Sequence, residues 1–452
     1  MRLRRLVLRR WVPTVNNART ARQVHLVGYF PGVNHSTVWS DPGSGSQVEF
    51  DSFAHLARTA ERGLFDYVFL AEGLRLREHK GEIHDLDVVG RPAALPLLSA
   101  LSTVTERIGL VATVNSTFND PADLARQFAT LDHLSAGRAG WNVVTSSEAF
   151  FGANFRRGGY LDRNDRYDRA AEVLRAAAAL WRARPGAEFG FRGAQIRLDR
   201  VSGVTPGPQG APVIVQAGDS ADGREFAAEY AEVVFSPHAD PEPAARLAAD
   251  LTERLARFGR TREDLRILPS ATFALGDTEA EAQENAREIA RAQVTPQTAI
   301  ATVERIWGRD LSNLDPDGPL PHEEPGEDEL RRGQAPHLGE RRKIAADWQE
   351  HAQAEGLSLR EVVTRKISSF TLVGTPAAVA ERIAADVASG RVDGYVLVPH
   401  LQPHGLDTFV DRVIPELQER GVYRTEYPEG TTLRDVLDLP RSPLLTRDIR
   451  AN

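Results

Sequence analysis

The segment Phe-Ala-Thr-Leu-Asp-His-Leu-Ser-Ala-Gly-Arg-Ala-Gly-Trp-Asn-Val-Val-Thr-Ser-Ser, residues 128–147, reads as a helix running into a buried strand. Leu131 and Leu134 continue an apolar face begun at Leu124 and Phe128, and Gly137 stands where a left-handed cap would end the helix. From Ala139 the side chains turn small and apolar through Trp141, Val143 and Val144, then switch to Thr145, Ser146 and Ser147, as a short parallel strand does on leaving a core. Polar residues gathered at a strand's C-terminal end are the layout of an α/β-barrel active site.

The same unit recurs on either side. Val24–Phe30 is a candidate strand broken by Pro31-Gly32, and Phe50, Phe53, Ala54, Ala57 and Ala60 have helical spacing up to Gly63. Asp66–Leu70 delivers Glu72 at its tip, and Gly109–Thr113 delivers Thr113, Asn115, Ser116 and Thr117. Asp120-Pro121 then opens a helix with Asp120 as its N-cap. Pro212–Gln216 runs into Ala217-Gly218-Asp219-Ser220 and a helix to Tyr230. A glycine turn followed by a helix start points unpaired backbone N–H groups and a hydroxyl at one spot, which suits a phosphate; it equally describes a plain N-cap. Asp219 would repel a phosphate unless its carboxylate points away. Eight strands are expected near residues 24, 67, 109, 139, 212, 233, 267 and 394, which makes the fold a (β/α)8 TIM barrel with insertions.

Composition sets bounds on function. The 452 residues carry a formal charge of −8, which leaves no basic footprint for nucleic acid, and contain no apolar run long enough to cross a bilayer. With no cysteine, disulfides, thiolate metal sites and cysteine nucleophiles are excluded together, a composition that suits a cytoplasmic enzyme. Residues 1–23 hold seven arginines and no acid, and are expected to be a disordered basic extension or to reflect an upstream start codon, the alternative being a targeting or anionic-surface role. A single barrel domain is expected over residues 24–440, with a tail at 441–452. Within it, about residues 300–366 form a long insertion. Its Asp315-Pro316-Asp317-Gly318-Pro319-Leu320-Pro321 excludes regular structure and its charged stretch Glu323–Arg342 is expected in solvent, as a lid or a mobile surface loop. His400 and His404 lie four apart after the last strand, but Pro403 and the missing acidic partner argue against a metal, and none is expected.

The run Leu-Asp-His-Leu-Ser-Ala-Gly-Arg-Ala-Gly-Trp-Asn-Val-Val-Thr-Ser at 131–146 resembles the signature of the bacterial luciferase-like, two-component flavin monooxygenases. It is most similar to the branch holding the nitrilotriacetate, dibenzothiophene sulfone, long-chain alkane and pristinamycin-type monooxygenases, and the likeness extends with gaps from Val24 to Leu439. The resemblance implies a barrel of the luciferase-like type. It further implies reduced FMN supplied by a separate NAD(P)H:flavin reductase, and oxygenation of a small organic substrate by dioxygen through a flavin hydroperoxide. Carried over position by position, it assigns Glu72, Thr113, Asn115, Asn142, Ser146, Arg163, Tyr167, Ala217, Gly218, Asp219 and Ser220 to the cofactor, and His35 and Trp39 to the substrate. Glu72 stands where the family usually has Asp, Arg163 where it has His, and Ser40 where Arg often follows the tryptophan. No residue stands out as a catalytic acid or base. A dimer or tetramer is expected, without nucleic-acid or membrane partners. Two other readings stay open: a deazaflavin-dependent oxidoreductase on the same barrel, and a flavin-binding relative without catalysis.

Overall fold

In the computed structural model, which describes residues 22–30, 36–38, 41–74, 78–80, 82–83, 92–146, 165–184, 186–327, 331–332, 338–368 and 370–446, the expected strands close into one parallel barrel. They are β1 (His25–Phe30), β2 (Tyr67–Leu70), β3 (Gly109–Asn115), β4 (Ala139–Val144), β5 (Val213–Gln216), β6 (Val233–Ser236), β7 (Arg266–Leu275) and β8 (Gly394–Val398). Each pairs in parallel with the next, and β8 returns to β1. The helices between them are α1 (Phe50–Arg62), α2 (Ala94–Leu101), α3 (Pro121–Leu134), α4 (Arg166–Arg182), α5 (Ala221–Tyr230), α6 (Pro241–Arg257) and α7 (Glu279–Gln293).

Alternation along the strands sorts the side chains into two cores. On β4, Trp141 and Val143 face the helices. Trp141 stacks on Phe128 of α3 with ring centroids 4.9 Å apart, and its indole N–H donates to the Val114 carbonyl at 3.0 Å. Inward-facing Val27, Tyr67, Phe69, Val111, Val213, Val215, Val233, Leu268 and Val396 form a separate cluster that fills the barrel. Leu433, Leu437 and Leu439 belong to that inner cluster, so the C-terminal segment stoppers the barrel at the N-terminal ends of its strands. Gly109 leaves room for it, since a Cβ there would press on Leu433, while a Cβ at Gly140 would press on Val111 of the same cluster.

The helix in the opening segment ends one residue earlier than Gly137 alone would set it. Ser135 is the C-cap, and Ala136 shares the left-handed backbone with Gly137, at φ 55° and 92°. Asp120 does occupy the N-cap of α3, but its side chain makes no capping hydrogen bond.

Among its described residues the insertion is largely helical rather than an irregular loop. It is built from α8 (Pro296–Trp307), α9 (Leu338–Glu355) and α10 (Leu359–Ile367) around a core of their own that includes Val303, Trp307, Leu320, Trp348 and Val362. The prolines at 316–321 make turns between helices. Arg341, inside the stretch expected in solvent, is buried and donates to the Gly326 carbonyl at 2.8 Å. The chain then runs through α11 (Pro376–Ala388) into β8 and on to α12 (Gly405–Glu419). The expected tail is packed as far as it is described: Pro443–Thr446 is a helical turn that buries Leu444. The basic extension up to residue 21 lies outside the described residues.

Candidate active site

The turn after β5 is built the way a phosphate site requires. Ser220 caps α5, its Oγ accepting from the Gly223 N–H at 3.1 Å, while the other N–H groups of the first turn have no partner inside the helix. The Tyr167 hydroxyl, on the first turn of α4, lies against the same turn: a Cβ at Gly218 or Gly223 would collide with it, at 2.7 Å for Gly223. Only glycines at these two positions admit the tyrosine. The helix dipole and these groups together make a cradle for negative charge.

Asp219 points away from that cradle. Its Oδ1 accepts from Arg224 Nη2 at 2.9 Å and Nε at 3.0 Å, and its Oδ2 faces His238 Nε2 at 2.8 Å. Its carboxylate is therefore a tether for the turn, and what remains to offer a ligand is its backbone N–H. Beneath the turn, Gln216 is buried and its Oε1 has no partner among the described residues.

At the barrel mouth, Thr113 and Asn142 sit side by side in the β3–β4 register, and Asn142 Nδ2 donates to Thr113 Oγ1 at 3.0 Å. Asn142 Oδ1 is buried without a partner among the described residues, an uncommon condition for a native interior. The interior also holds Tyr29, Phe69 and Phe235, with centroids 5.0 to 6.0 Å apart. Asn115 and Ser146 are bonded to each other and to the loops around them. Asn115 Nδ2 donates to Ser146 Oγ at 2.7 Å, while its Oδ1 accepts from the Thr117 and Phe118 N–H groups at 2.8 and 3.2 Å. They shape the loops at two neighbouring strand tips.

Glu72 caps a helix: its Oε2 accepts the Ala94 N–H at the start of α2, at 3.1 Å. Burial pushes its carboxyl pKa up, and that hydrogen bond only partly offsets the rise. His35, Trp39 and Arg163 lie outside the described residues. A cavity of about 780 Å³ lies between α7 and α10 beside Arg287, Arg291 and Arg360, and none of the expected site residues lines it.

Two residues at the turn escaped the sequence reading, and a third was weighed there only as a metal ligand. Arg224 and His238 reach Asp219 from five and nineteen positions away, separations that no local motif encodes. His400 follows β8 at the mouth, where burial lowers its imidazole pKa and its Nδ1 is buried without a partner among the described residues. His404, weighed earlier beside His400, instead meets His55 and Asp407.

The chain matches the family described as Luciferase-like monooxygenase over residues 32–394. It is 36% identical over 445 residues to N-acetyl-S-(2-succino)cysteine monooxygenase of Bacillus subtilis (strain 168), which covers 93% of this chain and 97% of that protein. It is 35% identical over 432 residues to Nitrilotriacetate monooxygenase component A of Aminobacter aminovorans, covering 89% and 92%. The solved structure of DmoA from Hyphomicrobium sulfonivorans superposes with a TM-score of 0.77 at 27% identity, over 93% of each chain.

Proposed function

The chain belongs to the luciferase-like monooxygenase family, and we propose that it oxygenates a small organic substrate using dioxygen and reduced FMN supplied by a separate NAD(P)H:flavin reductase. A relative named as one component of a monooxygenase supports the division of labour between two proteins. So does the sequence, in which no Gly-x-Gly-x-x-Gly fingerprint for a dinucleotide follows any strand.

The observation that carries the FMN reading is the cradle at Gly218, Ser220 and Gly223 with the Tyr167 hydroxyl against it. It supplies N–H and O–H donors to a terminal phosphate at a helix N-terminus. Thr113 and the unpartnered Asn142 Oδ1, at neighbouring strand tips, offer a hydroxyl and an acceptor to a polar heteroaromatic edge. Reduced flavin, when bound, activates dioxygen; the protein's part is to hold it, orient the substrate and keep water out. The aromatic interior at Tyr29, Phe69 and Phe235 is the dry side of that arrangement.

Titration with FMN tests the site. Ser220→Asp should weaken binding by more than Ser220→Ala does, because a second negative charge in a partly dry site repels the phosphate. Equal affinities for the two variants would remove Ser220 from the phosphate. The two-component reading is tested separately: the purified chain with FMN and NADH should oxidise NADH only when a flavin reductase is added.

A further inference from the structure

We infer that His55, His404 and Asp407 form a binding site for a divalent transition-metal ion, zinc being the best fit, on the outer surface where the first and last barrel helices meet. His55 comes from the second turn of α1, His404 is the N-cap of α12 and Asp407 lies in its first turn. The three ligand atoms form a closed triangle. His55 Nε2 is 2.8 Å from Asp407 Oδ2, His404 Nδ1 is 3.1 Å from His55 Nε2, and His404 Nδ1 is 3.4 Å from Asp407 Oδ2. The imidazoles meet edge to face, with centroids 4.2 Å apart and planes at 64°.

Hydrogen bonding alone does not account for this triangle. If both nitrogens carry protons aimed at the carboxylate, two N–H groups confront each other across the 3.1 Å edge. If only one does, a lone pair of the other faces a carboxylate oxygen. With Asp407 as a carboxylate, no placement of protons turns all three edges into hydrogen bonds, whereas one cation among the three atoms accounts for them together. Ligands about 2.0–2.2 Å from a zinc ion stand roughly 3.3–3.6 Å apart at a tetrahedral angle and roughly 2.8–3.1 Å apart at the right angles of five-coordinate geometry, and the three edges fall within the span of the two.

The donor set of two imidazoles and a carboxylate suits zinc and its neighbours rather than magnesium or calcium. Thr59 Oγ1 donates to Asp407 Oδ1 at 2.6 Å, and Oδ2 is the oxygen nearest both imidazoles. Two features oppose a cation: the N-terminal dipole of α12, and Arg62, whose Nη2 lies 3.8 Å from Asp407 Oδ1. Arg62 has a second carboxylate in Asp411, so a metal can take its place at Asp407 without stranding it.

Bound metal would tie together residues 349 positions apart. It would also hold the loop after β8, whose His400 and Gln402 carbonyls accept the N–H groups of Val38 and Gly45 at 2.7 and 2.6 Å. The site would thereby brace the loop that follows β1.

Zinc chloride titrated into the metal-stripped full chain, against a chromophoric chelator, tests the inference. One equivalent should bind in the parent, and His55→Ala, His404→Ala and Asp407→Asn should each weaken it at least tenfold. His351→Ala, at an exposed histidine elsewhere, should leave it unchanged, and Arg62→Ala should tighten it. As a second readout, Co²⁺ should give the intense visible bands of a low-coordinate site in the parent and lose them in His404→Ala. Affinities and Co²⁺ spectra that are the same in the parent and in a His55→Ala/His404→Ala double variant would overturn the assignment, as would weaker binding in Arg62→Ala.

Discussion

At the N-terminal end of the barrel, fully buried Asp66 faces His25 Nδ1 at 2.9 Å and accepts the Leu26 N–H at 2.7 Å and Arg424 Nη2 at 2.6 Å. At the C-terminal end, Asn142 Oδ1 is also buried and accepts nothing among the described residues. The contrast extends to neighbours. Below, Glu232 pairs with Arg434 and accepts the Ile214 N–H at 3.1 Å, and Arg266 Nε donates to the Leu437 carbonyl at 2.9 Å. Above, Gln216 Oε1 is left over beside a turn whose helix N–H groups face outward. At the lower end the buried carboxylates are matched within the chain, even though Arg424 Nη1 and Arg434 Nε are left over, whereas at the upper end the acceptors Asn142 Oδ1 and Gln216 Oε1 have no partner among the described residues.

Breaking the lower end should cost the most. Glu232→Ala strands the Arg434 guanidinium, whose pKa burial already lowers to about 10, and should reduce unfolding free energy by about 3–5 kcal/mol in urea titration. FMN affinity of the protein that remains folded should stay within about twofold, on the premise that the lower end does not touch the cofactor.

Asp66 makes the same point through pH. Burial raises its pKa, but Arg424 and His25 outweigh that, so the folded value lies below the unfolded one of about 3.9. The stability it contributes is present above about pH 3.9 and is lost as pH falls towards the folded pKa. Urea midpoints measured from pH 6 to pH 3 should fall more steeply in the parent than in Asp66→Asn.

At the upper end the expected effects are on binding. Asp219→Asn removes a negative charge near the proposed phosphate, yet it should weaken FMN about tenfold, or about 1.4 kcal/mol, because it loosens the turn from Arg224 and His238. Tighter binding would show that Asp219 faces the phosphate. Asn142→Leu should have the smallest effect on folding, between neutral and about 1 kcal/mol more stable, since it replaces an unpartnered buried acceptor. FMN binding should fall in the same protein, which separates the two roles at one position.

The barrel was legible because its signals are local. Strand runs such as Gly109–Val114 and Ala139–Val144, each ending in polar residues, announce both an element and a direction. The turn at 217–220 was legible for the same reason, and its awkward aspartate became intelligible only with Arg224 and His238 beside it. The insertion was misread because prolines and charges dominate its middle, while its core is assembled from Trp307, Leu320 and Trp348, far apart in sequence. Asn115 was legible by type and place, whereas the hold of its carbonyl on the Thr117 and Phe118 N–H groups is a fact about loop geometry that composition does not carry.

The stopper formed by Leu433, Leu437 and Leu439 bears on the order in which the molecule can be made. A chain emerging from the ribosome holds all eight strands once residue 398 is out, yet the inner cluster still lacks these leucines and Glu232 still lacks Arg434. Until roughly forty further residues appear, the nascent barrel exposes an apolar opening and an unneutralised carboxylate at one end, a state suited to capture by a chaperone. A premature stop just before Thr432 would fix the molecule in that state, so such a product should be found with chaperones or in aggregates rather than as a weakened enzyme.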